Sequence, residues 1–344
     1  MNRVDRVRSK MEDLDALILL RGPNISYITQ VPNAGGCLIL TREGENILLV
    51  SSLEFHRIRD HIKLGDVNII KVPVGERILD LLPKYLEEKW KVGVDSTNVK
   101  LYEKIKGSVK EIDGGNRIVE DLRRVKDPEE VRRITEAVRI AEEGMKSVME
   151  ALRAGLRETE VAGIAEKTMR DEGSEGTPFP TIVASGFRSV YPHAGSTRKK
   201  IREGEAVIID LGATYEGYCS DMTRTLYVGR EPGSLYDAVR EAKEKAARRA
   251  KQEEMCSEVD RVARRILEEY KLGEYFIHNL GHGVGLEIHE SPSLSPTSKD
   301  KLEAGNVITI EPGVYIYRSE GVRIEDMYIV TEEGVRRINR LPYS

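Results

Sequence analysis

The sequence predicts a two-part α/β protein. A small α/β domain fills residues 1–120, and a larger α+β domain with an internal pseudo-two-fold repeat fills 121–344. Three observations carry this. Apolar runs alternate with a helical stretch through the first 120 residues. Residues 127–229 and 233–334 each read helix, helix, strands. The second part also writes nearly one strand twice, GEAVIIDLG at 204–212 and GNVITIEPG at 305–313. In both, a Gly is followed by five mostly apolar positions, a carboxylate, and x-Gly.

At 344 residues the chain is long enough for two domains and a large core. It is 40% hydrophobic and 33% charged, with net charge −4 and scattered Lys and Arg. That balance argues against a nucleic-acid or membrane partner. No apolar run approaches the roughly 20 residues of a membrane helix. The opening MNRVDRVRSKMEDLDALILL carries acids before and within its short apolar stretch and is a poor signal peptide. Cys37, Cys219 and Cys256 lie far apart and form no CxxC pair, so neither a disulfide framework nor a zinc ribbon is expected. The expectation is a cytoplasmic protein.

In the first domain, LDALILL (14–20), GCLIL (36–40), NILLV (46–50), DVNIIKV (66–72) and KVGVD (91–95) read as strands. GERILDLLPKYLEEKW (75–90) reads as a helix, and PNAGG (32–36) as a turn rather than a phosphate loop. A boundary falls near 120–127. There Asp127 suits an N-cap, Pro128 the first helical position and Glu130 the third, so a capping box opens a helix. Val131, Ile134, Val138, Met145, Val148, Met149 and Leu152 give it one apolar face about 25 residues long, which Gly155 ends. A second helix follows over about 158–172, then strands PTIVASG, EAVIIDLG and TRTLYVG. The next half repeats this with helices over about 233–251 and 255–270, then NVITIEPGVYIY and RIEDMYIVT.

Each half carries two acids. Asp210 is followed by Asp221 in YCSDMTRT, and Glu311 by Glu325 in VRIEDMYIV. One acid at a strand end is ordinarily a turn former or a cap. Two matched pairs packed about a pseudo-two-fold axis would converge, and four bare carboxylates would repel and take up protons. A pair of divalent cations resolves that electrostatic problem. The chain has six histidines, and three of them fall in HNLGHGVGLEIHE (278–290), with glycines on both sides of His282. The bland reading of that stretch is a glycine-rich turn whose histidines cap helices. Four carboxylates with one imidazole form a hard, oxygen-rich set suited to Mn²⁺ or Co²⁺, with Zn²⁺ or Fe²⁺ as alternatives. Cys219 is read as packing, and His56 and His61, flanking a charged helix, have no assigned role.

DLGATYEGYCSDMTRT, GHGVGLEIHE, ITIEPGVY and VRIED together resemble the pita-bread metallopeptidases, which include Xaa-Pro dipeptidase (prolidase), Xaa-Pro aminopeptidase and methionine aminopeptidase. The resemblance covers about 121–340. Residues 1–120 are compatible with the extra domain of the prolidase and aminopeptidase P branch, which methionine aminopeptidases usually lack. It implies that Asp210 chelates one metal, that Asp221 and Glu325 bridge two, and that His282 and Glu311 complete the second. Tyr218 and Thr223 match positions beside the ligands, and Tyr315 and Arg323 match positions that orient them. His193 and His289 match histidines on the substrate side, and His278 matches a third of the proline-specific branch. The implied reaction is hydrolysis of the bond before proline by a water activated between two cations, with Glu311 taking its proton and His193 and His289 donating hydrogen bonds. The substrate is a small peptide with proline second, and the assembly a homodimer.

One position departs from the family. Prolidases commonly carry Arg after HExP, where it can bind a dipeptide's carboxylate; here HESPS places Ser293 there. Arg188 in SGFRSV, where the family often has Asn, is a candidate replacement, against the bland reading of a solvent-facing side chain. Two enzymatic readings therefore stand, an Xaa-Pro dipeptidase and an aminopeptidase acting on longer Xaa-Pro peptides. A third, a non-catalytic pita-bread binding module, is disfavoured because all five ligand positions are intact.

Overall fold

The computed structural model describes residues 2–96 and 98–343. Two compact units form, 1–123 and 124–344.

In the first unit, Ala16–Leu19 (β1), Cys37–Thr41 (β2), Asn46–Ser51 (β3), Val67–Val72 (β4), Lys91–Val94 (β5) and Glu111–Gly114 (β6) form one sheet in the order β4-β3-β2-β1-β5-β6. The β1–β2 and β2–β3 pairs are antiparallel, and β3–β4, β1–β5 and β5–β6 are parallel. Helices Arg3–Arg8 (α1), Gly22–Thr29 (α2), Phe55–His61 (α3), Ile78–Leu81 (α4), Val99–Ile105 (α5) and Ile118–Arg124 (α6) accompany it. The central strands β1 and β2 are buried at every position and apolar at all but Thr41, as a sheet covered on both faces requires. The helix expected over 75–90 is shorter. It runs one turn as α4, tightens to a 3₁₀ turn over Leu82–Tyr85, and is extended at Leu86. Pro83 lacks the N–H and crowds the carbonyl four residues back, so the α-helix cannot run through it.

In the second unit, Pro128–Ala151 (α7) opens with the capping box of Asp127 and Glu130. It ends at Ala151 with Leu152 already extended. Gly155, expected to end the helix, lies in the turn beyond it with φ +94°. Glu158–Asp171 (α8) follows, then Ile182–Ser185 (β7), Ala206–Leu211 (β8), the short pair Thr214–Tyr215 (β9) and Tyr218–Cys219 (β10), and Met222–Tyr227 (β11). The second half supplies Ser234–Arg249 (α9), Cys256–Glu269 (α10), Gly281–Gly283 (β12), Glu290–Leu294 (β13), Val307–Ile310 (β14), the pair Gly313–Tyr315 (β15) and Gly321–Arg323 (β16), then Asp326–Val330 (β17) and Val335–Arg337 (β18). The sheets are ordered β11-β8-β7 and β13-β12-β14-β17-β18.

The repeat is visible in this order. Strand β8, the hairpin β9–β10 and strand β11 correspond to β14, β15–β16 and β17. Each half has its own apolar core under its helix pair, and a third cluster containing Ile134, Tyr218, Val307 and Met327 joins the halves. Among the described residues, no helix is long and apolar enough to cross a membrane.

Candidate metal centre

The four acids sit at the necks of the two equivalent hairpins. Asp210 lies near the end of β8, and Glu311 directly follows β14. Asp221 directly precedes β11, and Glu325 directly precedes β17. A strand that leaves its sheet for a hairpin exposes its last side chain at the sheet edge. Two such necks facing each other bring the four together.

His282 comes from β12, which is a strand rather than the glycine-rich turn of the bland reading. Its flanking glycines serve close backbone approach. A Cβ at Gly281 would lie 2.1 Å from Thr309 O, and one at Gly283 would lie 2.3 Å from Ser291 O. His282 Nε2 lies 3.5 Å from Asp221 Oδ2 and 3.4 Å from Glu311 Oε1. Its Nδ1 lies 3.1 Å from Gly283 O; a proton held there leaves Nε2 available to a cation, and without a cation a protonated Nε2 donates to Glu311. Donor atoms of Asp221, His282 and Glu325 fall within 4.8 Å of one another.

The electrostatics are those of a site built for positive charge. Burial first, and then the charges of Glu325, Asp210 and Glu311, push Asp221 well above the usual carboxylate range. Burial, Glu311 and Asp210 do the same to Glu325. Asp210 is raised by burial, although Arg323 opposes the shift. Glu311 is lowered: burial acts against ionisation there, but the His282 hydrogen bond and charge prevail. Burial would lower His282, and Glu311 overcomes it, so the imidazole is raised.

Two oxygens test whether a cation fits. Among the described residues, the buried carboxylate oxygens without a hydrogen-bond partner are Asp210 Oδ1 and Glu325 Oε1. The other oxygen of each is held. Asp210 Oδ2 accepts from Arg323 at 2.7 Å, and Glu325 Oε2 accepts from Thr223 Oγ1 at 2.8 Å. A carboxylate with one oxygen fixed and one buried oxygen free is oriented as a metal ligand is. The residues present therefore fit divalent cations.

Around the acids runs a network. Arg323 donates to Thr223 Oγ1 at 3.2 Å, the Tyr315 hydroxyl at 2.8 Å and Pro192 O at 3.1 Å. His278 Nε2 lies 3.1 Å from the Tyr315 hydroxyl, whose pKa burial pushes up to about 12. Burial lowers His278. The His289 ring meets that of His282 edge to face at 4.3 Å; burial, then the charge of His282, lowers it, and His193 adds to the effect. His193 itself is exposed, next to the Pro192 carbonyl that Arg323 holds.

Three sequence expectations meet different surroundings. The Tyr218 hydroxyl donates to Glu130 Oε1 at 2.9 Å, which ties β10 to the capped end of α7. Arg188 is half-buried and committed to partners within the protein. It donates to fully buried Glu158 at 3.1 Å and to Gly195 O at 2.6 Å, because that carboxylate needs a cation. Ser293 stands opposite His282 in the β12–β13 register. Cys219 is buried in the apolar cluster between the halves. His56 packs on Phe55 and His61 on the Arg57 carbonyl, both in the first unit. Sequence reasoning missed Lys126, whose ammonium meets Glu290 at 2.5 Å beside His289, and Arg224. A lone Lys at a helix approach carries no sequence signal of burial. Arg224 lies inside DMTRT, where no local pattern marks an arginine as buried.

Residues 132–332 match metallopeptidase family M24, and residues 3–125 match the creatinase/prolidase N-terminal domain. The Xaa-Pro dipeptidase of Pyrococcus furiosus is 37% identical over 346 residues, covering 98% of this chain and 97% of that one. The solved prolidase of Pyrococcus furiosus superposes with a TM-score of 0.90 at 37% identity, over 97% of this chain and 99% of that one. The X-Pro aminopeptidase of Thermotoga maritima superposes with a TM-score of 0.90 at 31% identity, over 100% and 99%. The chain carries the pita-bread fold behind a creatinase/prolidase-type domain, and it belongs to metallopeptidase family M24.

Proposed function

We propose that the protein is a metal-dependent Xaa-Pro dipeptidase. The observation that carries this is the pair of partnerless buried oxygens on Asp210 and Glu325, in a cluster whose family relatives include Xaa-Pro dipeptidases. Asp210, Asp221, His282, Glu311 and Glu325 would hold two divalent ions, with Mn²⁺ or Co²⁺ the best match to a hard oxygen-rich set. When bound, the ions supply Lewis acidity toward the scissile carbonyl and lower the pKa of water.

The remaining chemistry belongs to the chain. Glu311 accepts the proton of the attacking water and returns it to the prolyl nitrogen, which must leave as an amine. His289, kept neutral, donates a hydrogen bond to the carbonyl oxygen, and exposed His193 is a second donor for the peptide. Tyr315 and Arg323 hold His278 and Asp210 in place. An Xaa-Pro bond has no N–H for a protease to grip, so selectivity must come from such a shaped pocket.

One observation favours longer substrates. Ser293 has no charge and Arg188 is engaged by Glu158, so neither offers a cation to a dipeptide's carboxylate. The test is chelated protein reconstituted with Mn²⁺ or Co²⁺ and given Leu-Pro beside Leu-Pro-Gly-Gly, with products read by mass. Cleavage of Leu-Pro supports the dipeptidase. Preferred release of Leu from the longer peptide makes it an aminopeptidase, and no cleavage with metal bound overturns both. The homodimer expected from the resemblance is tested by light scattering.

A further inference from the structure

Behind the carboxylate cluster lies a second buried group of charges that the chemistry above does not use. Arg224 in β11 is fully buried, and alternation along the strand turns it away from the face that Thr223 presents to Glu325. Its guanidinium is completely engaged. Nε donates to Pro342 O at 3.0 Å. One terminal nitrogen donates to Thr223 O at 2.9 Å and Glu325 O at 2.6 Å. The other donates to Asp326 Oδ1 at 2.8 Å and Leu341 O at 3.1 Å.

The returning segment 340–343 is fixed with equal care. The N–H groups of Arg340 and Leu341 both donate to buried Glu142 of α7, the second at 2.6 Å. Tyr343 O accepts from Tyr236 of α9 at 2.9 Å. The Tyr343 ring lies 4.2 Å from Lys243 Nζ and 4.7 Å from the Arg337 guanidinium. Lys243 and Arg337 close the circle on Asp326. The segment thus bonds to α7 and β11 of one repeat half and to α9 and β18 of the other.

Glu325 sits where these grips meet. Its N–H donates to Thr223 O at 3.1 Å, its carbonyl accepts from Arg224, and its carboxylate accepts from Thr223. Every one of these partners belongs to the opposite half. We propose that Arg224 is a positioning residue for the metal centre, and that residues 340–343 are the lock that keeps it in register between the halves. This rests on the metal reading above.

Linkage gives a test on the intact protein. If the lock sets the position of Glu325, metal binding must in turn tighten the lock. Mn²⁺ added to metal-free protein should slow hydrogen exchange at the Arg340 and Leu341 amides, while binding stoichiometry is read by calorimetry. Arg224→Lys keeps the charge but not the planar fork, and should weaken Mn²⁺ binding on the order of 10- to 100-fold. Deleting 341–343 should weaken it comparably. Mn²⁺ bound with exchange at 340–341 unchanged would overturn the lock and leave the metal reading standing. No Mn²⁺ binding would overturn both. Unchanged affinity in a folded Arg224→Lys protein would remove Arg224 from the role.

Discussion

Asp221 and Glu325 hold their protons more tightly in the folded protein than carboxyls ordinarily do, because burial and neighbouring acids penalise the charge. A carboxyl raised in this way stabilises the fold while it is protonated in both states, and that stability falls as pH rises above its unfolded value. His282 is raised as well, so its contribution is likewise lost on the alkaline side. Glu311, lowered, acts only in more acid solution. Metal-free protein should therefore unfold at a lower temperature at pH 7.5 than at pH 5.5, and Mn²⁺ should abolish the difference; calorimetry at the two pH values checks this. Glu325→Gln removes one of the mutually repelling charges. It should raise the unfolding midpoint of metal-free protein at pH 7.5 while abolishing Mn²⁺ binding and turnover. Thr223→Val, which releases one oxygen of Glu325, should weaken Mn²⁺ binding by about tenfold in a chelator competition. The acids and His282 were legible because each stands in its own short motif. The surroundings of Arg188 and Tyr218 were not, since their partners lie 30 and 88 residues away. No local pattern tells an arginine which buried carboxylate will claim it.

The same division holds for the elements. Helix α7 was legible to its first residue because a capping box is a local contest between side chain and backbone, and Asp127 and Glu130 win it together. Asp127→Ala should cost about 1 kcal/mol in denaturant unfolding and leave kcat alone. Strand β12 was not legible. Its three residues, Gly-His-Gly, have no strand propensity, and only the neighbours β13 and β14 make them a strand. Gly281→Ala places a methyl against the Thr309 carbonyl, so β12 must retreat and take His282 with it. The expected result is a loss of about 1–3 kcal/mol together with Mn²⁺ affinity, read by unfolding and calorimetry on one preparation. Apolar spacing over 75–90 favours a helix, but Pro83 limits it to one α turn and a 3₁₀ turn.

For the whole molecule, the repeat was the most informative feature of the sequence. The acid pairs were visible as text, and the hairpins between them give the text its geometric sense. Each unit has its own apolar core, so metal should act on one of them only. A cation at a hundred times its dissociation constant adds about 2.7 kcal/mol of stability per site. Chelation should accordingly lower the transition of 124–344 and leave that of 1–123 in place, which fragment-resolved hydrogen exchange during heating would separate.

The contacts at Gly281 and Gly283 reach beyond the placement of one imidazole. Backbone pressed against backbone on both sides leaves the strand that carries His282 little room to move outward for a bulkier guest. A larger ion of the same charge should therefore bind more weakly. Ca²⁺, which asks for six to eight oxygens at roughly 2.3–2.6 Å, would rattle the frame apart rather than settle in it, however many carboxylates are on offer.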